Sequence, residues 1–373
     1  MDIEKLLQLM IDNNGSDLFI TTDLPPSMKI NGQIRPIGKT ALTGEQTMTL
    51  TRSLMTPLQI SEFERTNECQ FAICNKAKSV RFRVSAFIQR DNAGMVLRKI
   101  ESKIPTTESL QLPPILNELA MTKRGIILLV GGTGTGKSTT LAAMTGYRNK
   151  HSRGHIISIE DPIEFIHQHQ GCIVTQREVG IDTLSFEAGL KNTLRQAPDV
   201  ILIGEIRNRE VMGYAIQYAE TGHLVFATLH ANNANQAIDR ILHFFDTERH
   251  GQVLMDLSLN LKAIVAQQLI LTTDCKRRRA AIEILINTQL IGNHIRKGEI
   301  HEIKPIMTRS RDIGMQTFDQ ALFDLFVTGE ISYDEAIKHA DSANDLRLRI
   351  KLETKYVVAV DEQLSNGFSL IIN

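Results

Sequence analysis

Apolar and polar positions change rhythm twice along the chain. Ile3, Leu6, Leu7, Met10 and Ile11 recur at helical spacing and stop at Asn14-Gly15, which predicts a first helix. Short alternating or apolar runs follow between turn residues: 17–22, 27–37 with an Asn31-Gly32 turn inside it, and 70–73. Residues 80–89, a turn at 91–94 and residues 95–100 predict a hairpin. Residues 1–101 therefore predict a small α+β domain on an antiparallel sheet. The stretch 102–114, with three prolines among several Ser and Thr, predicts a linker.

Beyond the linker four runs are apolar throughout: 126–130, 155–159, 200–203 and 224–229. That is the pattern of parallel strands buried on both faces. Helical patterns at 138–150, 185–196 and 210–221 separate them, so an α/β fold with a parallel sheet is expected. From about residue 233 the pattern predicts helices, at 235–245, 251–271, 317–329, 332–340 and 343–354. This second domain is expected to span 115–355, with 356–373 a loose tail.

Composition narrows the class. Of 373 residues 42% are hydrophobic and 23% charged, which sets aside disordered, collagenous and low-complexity proteins. The 42 Lys and Arg balance 42 Asp and Glu, so the chain lacks the overall basic field of a dedicated nucleic-acid binder. Cys69, Cys74, Cys172 and Cys275 form no C-x-x-C pair and have no His at zinc-ligand spacing. Reduced thiols are the expectation. The N-terminus turns polar too early for a secretory signal, and no run approaches the ~18 to 20 apolar residues of a membrane span. An intracellular, soluble protein is expected.

The chemistry begins after the run 126–130. Gly131, Gly132, Thr133, Gly134, Thr135, Gly136, Lys137 and Ser138, followed by Thr139, match the P-loop pattern G-x-x-x-x-G-K-[ST]. Glycines let the backbone wrap a phosphate chain, and the helix that starts there presents its positive end. Lys137 would reach the β- and γ-phosphates of ATP, and Ser138 would ligate Mg²⁺. A Gly-rich turn without a ligand is the plainer alternative; the strand before and the helix after argue against it.

A P-loop needs acids at neighbouring strand ends. The run 200–203 leads through Gly204 to Glu205, which resembles a Walker B motif with Gly where Asp commonly stands. Glu160, Asp161 and Glu164 cluster after the run 155–159, with Pro162 stiffening the backbone. His223 and His230 bracket the run 224–229.

With these residues assembled, the chain resembles the type II/IV secretion ATPases of the bacterial pilus-motor group. Four motifs carry the resemblance over about residues 1–350: GGTGTGKST (131–139), IEDPIE (159–164), VILIGEIR (200–207) and TGHLVFATLH (221–230). It implies a RecA-like P-loop ATPase domain joined to a smaller PAS-like α+β N-terminal domain, in a homo-hexameric ring. It implies Glu160 as the base for the attacking water and Glu205 as the Mg²⁺-organising acid. His230, and less firmly His223, would lie near the γ-phosphate and the subunit contact. Arginines of the N-terminal domain reach nucleotide in this family, and Arg83 and Arg98 are the best matches, ahead of Arg81. The four-cysteine insertion of the extension and secretion ATPases has no counterpart, and the chain is too short for their extra domain, which favours the retraction branch (PilT and PilU).

Two departures point to the PilU side of that branch. Gly132-Thr133-Gly134-Thr135 stands where PilT has Pro-Thr-Gly-Ser, and 289–297 keeps only a trace of the AIRNLIRE motif. The expected role is therefore an Mg-ATP-hydrolysing motor supporting pilus retraction and twitching motility, dependent on a PilT-like ATPase. It would sit in the cytoplasm at the inner-membrane base of the pilus machine, against a platform protein, with no nucleic-acid partner. Two rivals stand beside it. An ATP-binding scaffold would turn over little, which intact Lys137, Ser138, Glu160 and Glu205 argue against. A RecA-like nucleic-acid translocase would want aromatic platforms, yet Trp is absent and Lys276-Arg277-Arg278-Arg279 is the single tight basic run, best read as a solvated turn.

Overall fold

The computed structural model describes residues 2–30, 32–75, 80–100 and 103–354. Asn31 of the predicted turn, residue 102 of the predicted linker and the predicted tail at 356–373 lie outside them. The chain forms two compact units, residues 1–105 with 149–204, and residues 106–148 with 205 onward.

The N-terminal residues build α1 (Ile3–Asp12), β1 (Asp17–Ile20), β2 (Ser27–Ile30), β3 (Gln33–Pro36), α2 (Gly44–Ser53), α3 (Pro57–Thr66), β4 (Glu68–Cys74), β5 (Arg81–Gln89) and β6 (Asn92–Ile100). The strands form one antiparallel sheet in the order β3-β2-β1-β6-β5-β4. Leu7, Met10, Leu50 and Phe63 of the three helices share a core with Leu18, Phe82, Val84, Met95 and Leu97 of the sheet. Alternation along β5 turns Arg81 and Arg83 to the other face.

Two of these helices are absent from the apolar pattern, although each carries a terminus signal. Thr43 with Gln46, and Thr56 with Gln59, form reciprocal capping boxes at the starts of α2 and α3. The β5–β6 hairpin also turns earlier than predicted. Gln89 pairs with Asn92, and Arg90 and Asp91 take positive φ between them, the geometry of a tight two-residue turn.

Strand and helix then alternate as α4 (Ile115–Ala120), β7 (Gly125–Val130), α5 (Lys137–His151), β8 (Gly154–Glu160), β9 (Cys172–Glu178), α6 (Phe186–Lys191), β10 (Val200–Ile203), α7 (Arg209–Glu220) and β11 (Leu224–Leu229). After them come α8 (Ala234–Leu242), α9 (His250–Asn260), β12 (Leu261–Leu271), β13 (Arg278–Ile286), α10 (Gln289–Lys297), α11 (Ile303–Arg309), α12 (Phe318–Val327), α13 (Tyr333–His339) and α14 (Ala343–Glu353). Among these strands β10, β8 and β9 lie side by side in that order in the first unit, and β13, β12, β7 and β11 in that order in the second. Within the first unit β10, β8 and β9 are parallel, and within the second β11, β7 and β12 are parallel. The α/β reading of the sequence holds.

The predicted helix at 251–271 is half wrong. It ends at Asn260, and Leu261–Leu271 is a strand hydrogen-bonded to β7 on one side and β13 on the other. A buried strand and a buried helix both read as an apolar run, and only long-range pairing separates them. β13, in the region expected to be helical, is its antiparallel partner. The predicted helix at 185–196 is α6 followed by a 3₁₀ turn, Thr193–Gln196.

Candidate active site

Strand β7 delivers the chain to the P-loop at the carboxyl edge of the sheet. Gly136 takes a φ of +90°, and a side chain there would meet the Gln267 amide nitrogen at 2.6 Å. Only glycine fits both conditions. Lys137 is buried, and its ammonium donates to the carbonyl oxygens of Gly131 at 2.9 Å and Gly132 at 2.7 Å. Its charge thus stands at the start of the loop. Beneath the loop, buried Gln267 of β12 accepts from the Thr140 hydroxyl at 2.7 Å. Gln267 escaped sequence reading because it lay inside the misread helix.

Parallel register decides which histidine reaches this edge. Val130 pairs with Leu229, so Gly131 and His230 emerge together. Gly125 pairs with Leu224, which leaves His223 at the opposite end of the strand, about 20 Å away at ~3.3 Å per residue. There its Nδ1 lies 3.1 Å from the Thr221 hydroxyl and 3.2 Å from the Tyr218 carbonyl, at the end of α7. The structure does not bring His223 to the P-loop.

Glu205 follows β10. Its Oε1 is 3.3 Å from His230 Nε2, and its Oε2 accepts from Arg207 Nε at 2.9 Å. Arg207 was not singled out in the sequence, although it stands in the same GEIR stretch. Ser138 and Glu205 offer hard oxygen donors, the chemistry that suits Mg²⁺ completed by substrate phosphates. No group of three His, Cys, Asp or Glu among the described residues forms a metal cage of its own.

Clefts open at both ends of the loop. One of about 440 Å³ is lined by Gly131, Gly132, His230, the α8 residues Gln236, Asp239 and Arg240, and the α8 C-cap His243. The other, about 380 Å³, is lined by Gly136, Thr139, Thr140, Gln267, Leu110, Leu112, Leu269, Arg277 and Arg278. The basic run is therefore more than a solvated turn: two of its arginines face a cleft. Arg279 pairs with Glu330 and donates to the Leu110 carbonyl at 3.4 Å.

In the other unit Glu160 ends β8. Its Oε1 accepts from the Ser158 hydroxyl at 2.6 Å and from the Gln176 amide at 3.0 Å. Burial pushes its carboxyl up to about 7, and the nearby Glu164 and Glu178 carboxylates act the same way, against the two hydrogen bonds. Such a value suits a general base near neutral pH. Gly204 explains the missing Walker B Asp: a Cβ there would come within 3.0 Å of Glu160 Cα and 3.2 Å of the Ile159 carbonyl. A side chain at 204 would have to push the Glu160 strand end aside by a few tenths of an ångström.

A model of the type II/IV secretion system protein family matches residues 1–319. The chain belongs to that family. It is 63% identical over 372 residues to the type IV pilus ATPase PilU of Pseudomonas aeruginosa, covering 100% of this chain and 97% of that one. It is 40% identical over 340 residues to the type IV pilus retraction ATPase PilT of the same organism, covering 91% and 98% of the two chains. The crystal structure of the pilus retraction motor PilT with bound ADP superimposes with a TM-score of 0.87 at 36% identity, over 93% of this chain and 99% of that one. The chain thus lies in the PilT/PilU branch of the type II/IV secretion family and most resembles PilU.

The three arginines suggested by the family resemblance share the outer face of the N-terminal sheet. Arg83 and Arg98 are direct cross-strand partners. Like charges so placed repel, and each has a polar neighbour: Arg83 donates to Gln70 at 2.8 Å, and Arg98 Nε lies 2.7 Å from Asp17. Arg81 faces the buried Glu178 at 3.8 Å, whose carboxyl burial pushes up. All three arginines thus have partners within their own chain, Arg81 and Arg98 on buried carboxylates and Arg83 on an exposed amide.

Proposed function

We propose that this chain is the ATP-hydrolysing subunit of a hexameric type IV pilus motor that supports retraction together with a PilT-like ATPase. It is a pilus-motor ATPase of the type II/IV secretion family. The observation that carries the mechanism is the edge at which Lys137, the P-loop glycines and the Glu205–His230 pair converge.

ATP would lie along the loop. Its nucleoside would occupy the cleft at Thr139, Leu110 and Leu269, and its γ-phosphate would lie at the Lys137 end. Ser138 and Glu205 would hold Mg²⁺, which supplies charge neutralisation on the phosphates when bound. His230, 3.3 Å from Glu205, would sense the γ-phosphate. His223, at the far end of β11, would serve the contact with a neighbouring subunit. Glu160 would orient and deprotonate the attacking water, and a carboxyl held near neutrality is suited to that task. Arg83 and Arg98 would be offered to the nucleotide of a neighbouring subunit, where an arginine can contribute ~10³ to 10⁵ in rate. The ring would work at the cytoplasmic side of the inner membrane against a platform protein of the pilus base.

Mg²⁺-dependent ATP hydrolysis by the purified chain, beside Lys137→Ala and Glu160→Gln and with light scattering for assembly, tests the reading. Turnover by a particle of about six subunits, lost in both variants, is the expected result. A well-folded ring that binds ATP but turns over no faster than either variant would leave the scaffold role instead.

A further inference from the structure

The cleft at the Gly131 end of the P-loop meets the proposed γ-phosphate position at its mouth, and its continuation along α8 has no use in the ATPase reading. That cleft starts at Gly131, Gly132 and His230, where the Lys137 ammonium stands, and continues along one face of α8. Gln236, Arg240 and His243 fall at i, i+4 and i+7, so one helical stripe lines it. Asn232 N donates to Gln236 Oε1 at 3.3 Å, which leaves the Gln236 amide hydrogens as donors. Arg240 stacks over Phe244 at 5.4 Å, which steadies the guanidinium without occupying its N–H fork. Asp239 is the acidic member of the lining. Two histidines, an arginine and two amides against one carboxylate make a groove that favours an anion.

We propose that this groove is the exit route of the inorganic phosphate cleaved from ATP, with Arg240 as its cationic waypoint. The inference rests on the ATPase reading and extends it to product handling. After hydrolysis ADP would still occupy the Thr139 end of the loop, which leaves the Lys137 end to the freed phosphate. The groove opens there. A single guanidinium part-way along it lowers the barrier to passage in both directions without serving as a terminal binding site.

The test compares chemistry with release in the full-length assembled chain. Quench-flow reads the hydrolytic step, and a fluorescent phosphate-binding reporter reads inorganic phosphate leaving. Arg240→Ala is expected to keep the hydrolytic step, to slow phosphate release by about tenfold, as loss of one charged hydrogen-bond partner implies, and to leave inhibition by added inorganic phosphate at equilibrium unchanged. Arg240→Lys, which keeps the charge, is expected to recover much of the rate. Release in Arg240→Ala that keeps pace with the wild type overturns the proposal, as does weaker phosphate inhibition with unaltered release, which would mark a static site. Loss of the assembled particle in Arg240→Ala also overturns it and makes the groove a seat for another subunit. Absence of hydrolysis in the wild-type quench data is a separate result and removes the ATPase reading itself.

Discussion

Ser158 donates its hydroxyl hydrogen to Glu160 Oε1 at 2.6 Å, two residues further along the same strand and on the same face. The bond favours the ionised carboxylate, while burial pushes the group up to about 7. A base must be ionised, so kcat/KM is expected to climb with pH and level off above about 7. Ser158→Ala removes a contact that lowers the value, and its rising limb should therefore move to higher pH. An initial-rate pH profile checks both, and a flat profile through neutrality would remove Glu160 as the base.

Gly204 stands where a Walker B Asp is common, yet its Cβ position is 3.0 Å from Glu160 Cα. Gly204→Asp, which restores the common pattern, is expected to destabilise the fold by about 1–3 kcal/mol through overpacking and to displace Glu160. Thermal melting and ATP turnover should both fall. A variant as stable and active as the parent would show that the strand end can relax.

Arg81 and Arg83 lie on one face of one strand but should behave differently. Arg81→Ala leaves buried Glu178 without its cation at 3.8 Å, with an expected loss of about 1–3 kcal/mol. Arg83→Ala removes an exposed bond to Gln70 and a weaker attraction to Glu178 than that of Arg81, and should change stability by less than about 1 kcal/mol. Its turnover should nevertheless fall by at least about a hundredfold if it acts on nucleotide. Denaturant midpoints measured beside turnover separate the two roles.

Glu283 is 2% exposed, and burial pushes its carboxyl up to about 7 while its Oε1 accepts from Ala234 N at 2.8 Å. A carboxyl raised on folding contributes stability below its unfolded value that is lost as pH rises through its folded one. Glu283→Gln stays neutral and keeps the acceptor. Its unfolding free energy should match the parent near pH 5 and exceed it above about pH 7.5, by up to about 3 kcal/mol, with the melting temperature higher in the same range. Parallel melting curves at all pH values would mean that Glu283 does not ionise there.

Much of this site was legible because its signals are local. A P-loop is a run of consecutive residues whose glycines serve their own backbone, and the strands at 126–130, 200–203 and 224–229 announce themselves by continuous burial. The chain order of strand and helix, and therefore the α/β class, follows from such runs alone. The candidates Lys137, Ser138, Glu160, Glu205 and His230 stand in or beside such runs, which is why sequence alone could single them out.

What the tertiary structure alone decided depends on pairing between distant residues. Whether 261–271 is helix or strand was settled by hydrogen bonds to β7 and β13. Gln267 under the P-loop became visible only then. His223 and His230 look equivalent in a sequence that brackets one strand with both, and parallel register puts one beside the P-loop and the other at the far end. Arg81 and Arg83 are likewise alike until Glu178, nearly a hundred residues on, pairs with one of them. Local chemistry names the groups in one stretch of chain. Only packing brings a partner from far along the chain, and the partner sets the role.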